Sequence, residues 1–359
     1  MAWCSHNEKD QIPSRVSKWK KCKAIEKLGV FYAQCAYADP NDILEKLNNK
    51  LTNKRQISPP SESMARIKEF LMEYVNFNIA DDEKSLRINS ELTRRHVTNV
   101  EACMQRLSSL NICEYMQIKG IQDHELEFKR YFGWYSHEFI WVKGPCNGNF
   151  ERLLIKVYAK SQDFLEMMTK FLKMMLLPIR PYKSAYTELI RHFSNMCDLS
   201  SVPGDSFQRL IILQDQAFLC LPDIRFFQEK PESDLRDILV STVATCERKN
   251  LLNPETNFNI EKAVDDKLLV EHGGGLLIES PYSFFQPHVL GSLCLKTEML
   301  FTFLEIDMQH FDKLVCNEDL TSEKAYIFYT KPYNIMIAED RAVLLDLLLR
   351  LSVFQRRDQ

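Results

Sequence analysis

The sequence predicts a mainly α protein: a large helical body followed by a small C-terminal α+β portion, a short β-hairpin covered by a closing helix. Three observations point there. Apolar residues recur mostly at spacings of three and four, the period of one helix face. Glycine is scarce, 10 in 359 residues, about 3% against a usual share of roughly 7%. Folds that cradle nucleotides on glycine-rich loops or turn many tight hairpins normally need more. The only clear β-type runs lie near the C-terminus, at 325–330 and 334–338.

The elements follow in order. A basic helical run extends from Ser14 to Ala38, with Trp19, Ile25 and Val30 facing inward, and Pro40 closes it. Residues 52–63 are polar, carry Pro59-Pro60 and read as a linker. A helix starting at Ser61 or Ser63 places Met64, Ile67, Leu71, Tyr74 and Val75 on one stripe; another carries Ile88, Leu92, Val100, Met104 and Leu107. Aromatic residues crowd 131–141. A long helix then runs from about Phe150 to Leu177, stopped by Pro178 and Pro181. Further helices are expected at 182–199, 205–221, 233–252 and 259–272, the last ended by Gly273-Gly274-Gly275. Leu276–Glu279 reads as a short strand and 287–315 as helical, with Pro287 in its first turn. Lys331-Pro332-Tyr333 joins the two C-terminal strands, and 342–354 closes the chain as an apolar helix. The corresponding organisation is a basic N-terminal segment with linker (1–60), a helical body (61–272) and the α+β portion (273–359).

Composition bounds the function. Lys+Arg 46 against Asp+Glu 49 leaves a net charge of −3, which excludes a polybasic binder as the whole protein. No N-terminal signal segment and no run long enough to span a bilayer is visible. Eleven cysteines are scattered with no C-x-x-C pair, which fits reduced thiols and an intracellular protein of the cytoplasm or nucleus.

The chemistry-bearing motifs are thin. The triple glycine stands after a helix and before the expected strand, opposite to the order a phosphate loop needs. His124-Glu125 and His137-Glu138 lack the second histidine of a zinc-protease motif, and G-x-S-x-G is absent. Cys146, in a Gly-Pro-Cys-Asn-Gly turn, has no local base. No catalytic residue, metal ligand or cofactor is assigned, and the balance of motifs goes against an enzyme.

Two surface features remain. Arg15, Lys18, Lys20, Lys21, Lys23 and Lys27 surround Trp19, in a first 60 residues holding 11 Lys+Arg against 6 Asp+Glu. They are candidates for phosphate or partner contacts, or the wet side of an amphipathic helix. Tyr131, Trp134, Tyr135 and Trp141 form a candidate aromatic interface. With 13 Met, 22 Phe and 13 Tyr, many on predicted helices, the expected function is a non-enzymatic scaffold or adaptor, a protein-binding subunit of a multiprotein complex. The alternative is a nucleic-acid-associated factor whose basic N-terminal helix touches phosphates.

Overall fold

The computed structural model describes residues 23–51, 61–120, 127–132, 138–143, 149–204, 209–213, 216–227, 238–245 and 258–355. In chain order the first elements are α1 (Lys23–Glu26), β1 (Val30–Tyr32), α2 (Pro40–Asn48), α3 (Glu62–Tyr74), α4 (Glu83–Ile88), α5 (Ser90–Ser108) and α6 (Ile112–Ile118). A hairpin of β2 (Glu127–Phe132) and β3 (Glu138–Lys143) precedes α7 (Asn149–Met175) and α8 (Lys183–Met196). Then come β4 (Ser201–Pro203), β5 (Arg209–Leu213), β6 (Gln216–Cys220), β7 (Ile224–Phe227) and β8 (Ile238–Thr245). The last third holds α9 (Ile260–Ala263), α10 (Asp266–Glu279), β9 (Val289–Leu295), β10 (Glu298–Glu305), α11 (Met308–Val315), β11 (Ala325–Tyr329), β12 (Tyr333–Asn334) and α12 (Ala338–Gln355).

The centre of the molecule is an eight-stranded mixed sheet in the order β1-β11-β10-β9-β8-β7-β4, with β12 also paired to β10. The expected mainly α class is therefore corrected: the fold is α/β, with helices on both sides of a large sheet. β1–β11 and β8–β9 run parallel and the other pairs antiparallel. Strand alternation divides the interior into two cores. Met299, Phe301 and Phe303 of β10 face one core with α2, α3, α5, α7, α8 and α12. Leu300 and Leu304 face the other with α1, α9, α10 and α11.

Periodicity misses this class because the middle strands are covered on both faces. Every residue of β9 is buried, as are all but the last of β8. Such strands show no polar alternation, and an apolar run of that kind cannot be told from a buried helix by period alone. Thus 233–252 and 287–315, expected as helices, contain β8, β9 and β10, and 205–221 contains the β5–β6 hairpin. The scarcity of glycine misleads for a related reason. β9 and β10 are joined by a two-residue turn in which Lys296, not glycine, takes the left-handed backbone (φ 61°).

The triple glycine is also corrected. It does not end α10 but lies inside it, and Leu276–Glu279, expected as a strand, is the last turn of the same helix. From His272 to Glu279 every residue of α10 is buried. The helix touches β8 and β9 of the sheet on one side and the β5–β6 hairpin on another. A Cβ on Gly273 would stand 3.0 Å from Ile25 Cδ1 and 3.1 Å from Ile327 Cδ1, and one on Gly275 would stand 3.1 Å from Cys220 Sγ. The glycines permit close approach to neighbours on several sides, at a cost in helix propensity of up to about 1 kcal/mol each.

At the N-terminal end, the helix expected to run to Ala38 is broken within its described part: α1 ends at Glu26 and the chain turns at Gly29 (φ 70°) into β1, while residues 14–22 lie outside the described residues. At the C-terminal end, 325–330 and 334–338 do not pair with each other. β11 and β12 lie end to end along the same strand, β10, with Phe303 opposite Phe328 and Met299 opposite Tyr333. Pro332 interrupts the ladder without reversing the chain, since it has no N–H to donate. Residues 287–288 lead into β9 after a cis Gln286–Pro287 bond.

The long helix and the closing helix stand where periodicity puts them. α7 buries Leu154, Val157, Phe164, Leu165, Met168, Phe171 and Met175, and α12 buries Leu344, Leu347, Leu348 and Leu351. α12 covers α3, α2 and the β12 end of the sheet.

Candidate functional site

Three sets of buried polar side chains tie elements of the fold together. Arg225 and Glu279 are both fully buried; Nε and Nη2 of Arg225 donate to Glu279 Oε1 at 3.0 and 2.5 Å, and Nη1 donates to Gly204 O at 2.7 Å. The pair ties α10 to the β7–β4 edge of the sheet. Burial raises the Glu279 carboxyl above its ordinary value even with Arg225 beside it. His272 bonds Thr302 Oγ1 at 2.8 Å and is pushed down to about 3 by burial, so it is neutral in the folded protein near pH 7. Arg341 donates to the carbonyls of Ile335 (2.9 Å), Val75 (3.2 Å) and Phe77, and its guanidinium lies 3.9 Å from the centre of the Phe77 ring. It knits α12 to the segment after α3.

A groove of about 380 Å³ lies between α3 and α12. Local sequence builds α3 firmly. Ser61 caps it by accepting from the Met64 N–H at 3.3 Å, and Glu62 pairs with Arg66 one turn on at 2.8 Å. Ile67, Phe70, Leu71 and Tyr74 form its buried stripe. Beside that stripe Met64, Ala65, Lys68, Glu69 and Met72 line the groove, and Asp346 and Leu349 of α12 form the facing wall. Lys68 Nζ reaches Asp346 Oδ2 at 2.6 Å and bridges the two helices. On the rim Glu69 accepts from Lys119 Nζ at 2.9 Å, and the neighbouring Ile118 is 75% exposed. Hydrogen bonding to Glu69 raises the Lys119 ammonium above its ordinary value.

The lining is thioether and aliphatic with one bridging ion pair. It offers apolar contact along a line and no convergent set of donors. Among the described residues no group of three or more His, Cys, Asp or Glu is placed to hold a metal ion.

The residues singled out in the sequence fall elsewhere. Arg15, Lys18, Lys20, Lys21, Trp134 and Tyr135 lie outside the described residues, as do His124, His137 and Cys146. Lys23 opens α1, and Lys27 is exposed just beyond it. Tyr131 and Trp141 stand on the β2–β3 hairpin, opposite Phe139 and Lys129 respectively. Of the described cysteines, Cys35, Cys103, Cys197, Cys220, Cys294 and Cys316 are in no disulfide. The groove itself is not legible in the sequence. Met64 reads there only as part of a core stripe, and the partnership of Lys68 with Asp346, 278 positions away, leaves no local trace.

Comparison with protein-family models, curated proteins and solved structures finds no match. Among the described residues no helix is long and apolar enough to cross a membrane.

Proposed function

We propose that the chain is a non-enzymatic adaptor that binds other proteins inside the cell, with the α3–α12 groove as a docking site for an amphipathic helix. The methionine-lined groove carries this reading. Methionine is unbranched and polarisable, so a wall of Met64 and Met72 adapts to more than one apolar anchor. An amphipathic helix laid in such a groove places anchors at positions i, i+3, i+4 and i+7. The Lys68–Asp346 bridge and the Lys119–Glu69 pair offer a charge of each sign to the polar flanks of the incoming helix. Free cysteines at Cys103, Cys197, Cys220 and Cys294, all buried, fit a reducing compartment of the cytoplasm or nucleus.

The test is site-specific photo-crosslinking in cells, with the reactive side chain at Ala65 in one protein and at the exposed Lys262 in another. A discrete adduct from Ala65, absent from Lys262 and lost on Met72→Glu, is the expected result. Equal labelling from the two sites, or adducts indifferent to Met72→Glu, would overturn the groove as a docking site. Salt should change the adduct yield little, because the contact is mainly apolar.

A further inference from the structure

Away from the groove, four large apolar side chains stand together in water. α7 ends at Met175, and the connection to α8 reads Leu176-Leu177-Pro178-Ile179-Arg180-Pro181-Tyr182. Leu177 is 54% exposed, Ile179 58% and Tyr182 72%; Ile88, the last residue of α4, is 75% exposed. Arg87 Nη2 donates to Pro178 O at 3.1 Å, which pins the end of α4 to this loop and makes one ridge of the two segments. Pro178 and Pro181 fix two backbone φ angles in this connection. A single exposed aliphatic is ordinary in a monomer, whereas a cluster marks a surface that meets something.

Charge narrows what it meets. Lys84 and Arg180 are exposed and Arg87 is half-buried. None of the three forms an ion pair with a carboxylate among the described residues, although other lysines on nearby helices do, such as Lys173 with Glu101 and Lys183 with Asp223. The Arg87 Nε is buried without a hydrogen-bond partner. The Lys84 ammonium feels the Asp82 carboxylate without an ion pair to it, and Arg180 makes no ion pair among the described residues, so exposed cations beside apolar side chains suit an anionic surface with an apolar layer beneath it.

We infer that this ridge docks the protein peripherally on an anionic lipid surface. Leu177, Ile179 and Ile88 enter the boundary between headgroups and acyl chains, Tyr182 sits at headgroup level, and Lys84 and Arg180 meet the phosphates. The set has the composition interfacial binding uses: aliphatics for the deepest layer, an amphipathic ring for the headgroup level and long cationic side chains for the polar layer. A lipid surface is favoured over a protein partner because the side chains project from helix ends and a loop. They need a soft receiving layer or a matching cleft, and headgroups neutralise cations without fixed geometry. The ridge shares no residue with the groove, so the two surfaces can be occupied together, and an adaptor would then present its partner at a membrane.

The test is flotation of the full chain with vesicles of phosphatidylcholine alone or containing phosphatidylserine, at low and high salt. The basic N-terminal stretch is a second cationic feature, so Lys20, Lys21 and Lys23 are reversed to Glu throughout to leave the ridge as the variable tested. Binding should require phosphatidylserine and weaken with salt. Leu177→Asp with Ile179→Asp should lower the partition coefficient at least ~10-fold, and Lys84→Glu with Arg180→Glu should do so by a similar factor. All four sites are exposed, so melting curves should be unchanged. As a second readout, Ile179→Trp should add fluorescence that brominated lipid quenches, independent of how the Asp variants fold. Absence of vesicle binding at low salt would overturn the inference and leave the ridge to a protein partner. Equal binding by the ridge variants, or fluorescence from the introduced tryptophan that brominated lipid leaves unquenched, would overturn it as well. Groove occupancy is measured at Ala65 and is unaffected by any of these outcomes.

Discussion

His272 makes the stability of this fold depend on pH in a way that one substitution should expose. The ring lies on the sheet-facing side of α10, bonded to Thr302 Oγ1 at 2.8 Å, and an added Cβ on Gly291 would stand 3.1 Å from its Cε1. No carboxylate among the described residues pairs with it, and burial holds its pKa at about 3 against an ordinary 6.5. In the unfolded chain the ring takes up a proton below about pH 6.5, whereas the folded chain resists until near 3. The unfolded state therefore binds more protons throughout that window, and stability falls as pH drops through it. By about pH 5 roughly 1.5 pH units of the window have been crossed, worth about 2 kcal/mol. His192, His288 and His310 are also lowered by burial and act in the same direction, while Glu271 and Glu279, raised by burial, act against it. Those groups are common to the wild type and to His272→Gln, so the difference between the two proteins isolates the one ring. Urea unfolding at about pH 7.5 and about pH 5 should show the wild type losing ~2 kcal/mol more than the variant between the two conditions. Parallel pH dependence in the two proteins would refute the argument, since it would mean that His272 titrates alike folded and unfolded.

Three further outcomes follow from packing. Gly291→Ala places a Cβ 2.5 Å from Leu276 Cδ2 and 2.6 Å from Thr302 Oγ1, and should cost about 1–3 kcal/mol in chemical unfolding; a neutral result would mean that α10 can lift from the sheet without penalty. Arg341→Met strips hydrogen bonds from three buried carbonyls and should cost ~3 kcal/mol or more, measured the same way. Truncation after Ala338 removes Leu344, Leu345, Leu347, Leu348, Leu349 and Leu351 from the core, each contributing roughly 1.5–3 kcal/mol against a typical total of about 5–15. It also removes Gln355, which donates to Ser200 O at 3.0 Å and Phe227 O at 2.5 Å. The shortened chain should be insoluble or unfold without cooperativity; a soluble protein with an unchanged melting curve would show α12 to be detachable.

The sequence by itself determined the long helices, of which α3, α5, α7 and α8 keep one face wet while α12 is covered along most of its length. α3, α5, α7, α8 and α12 each carry an apolar stripe or a long apolar run bounded by caps or prolines, and these signals are local: Ser61 before α3, Pro178 and Pro181 after α7. It also determined the extended character of 325–329, where Tyr326 remains 41% exposed and preserves an alternating pattern. The Leu177–Tyr182 segment is legible as a helix stop but not as a ridge, because exposure is a property of what fails to pack against a side chain.

Only the tertiary structure decided the rest. β8, β9 and β10 are strands because each lies beside another with both faces covered, and burial on both sides erases the alternation that would announce a strand. Gly273–Gly275 continue a helix because Ile25, Ile327 and Cys220 close in on it from elements far apart in the chain. The α3–α12 groove exists because residues 68 and 346 meet across it. A local signal records what a residue requires of its immediate neighbours along the chain. Which distant surface arrives to cover it is fixed by the packing of the whole, and at the sheet, the central helix and the groove that choice overrode the local pattern.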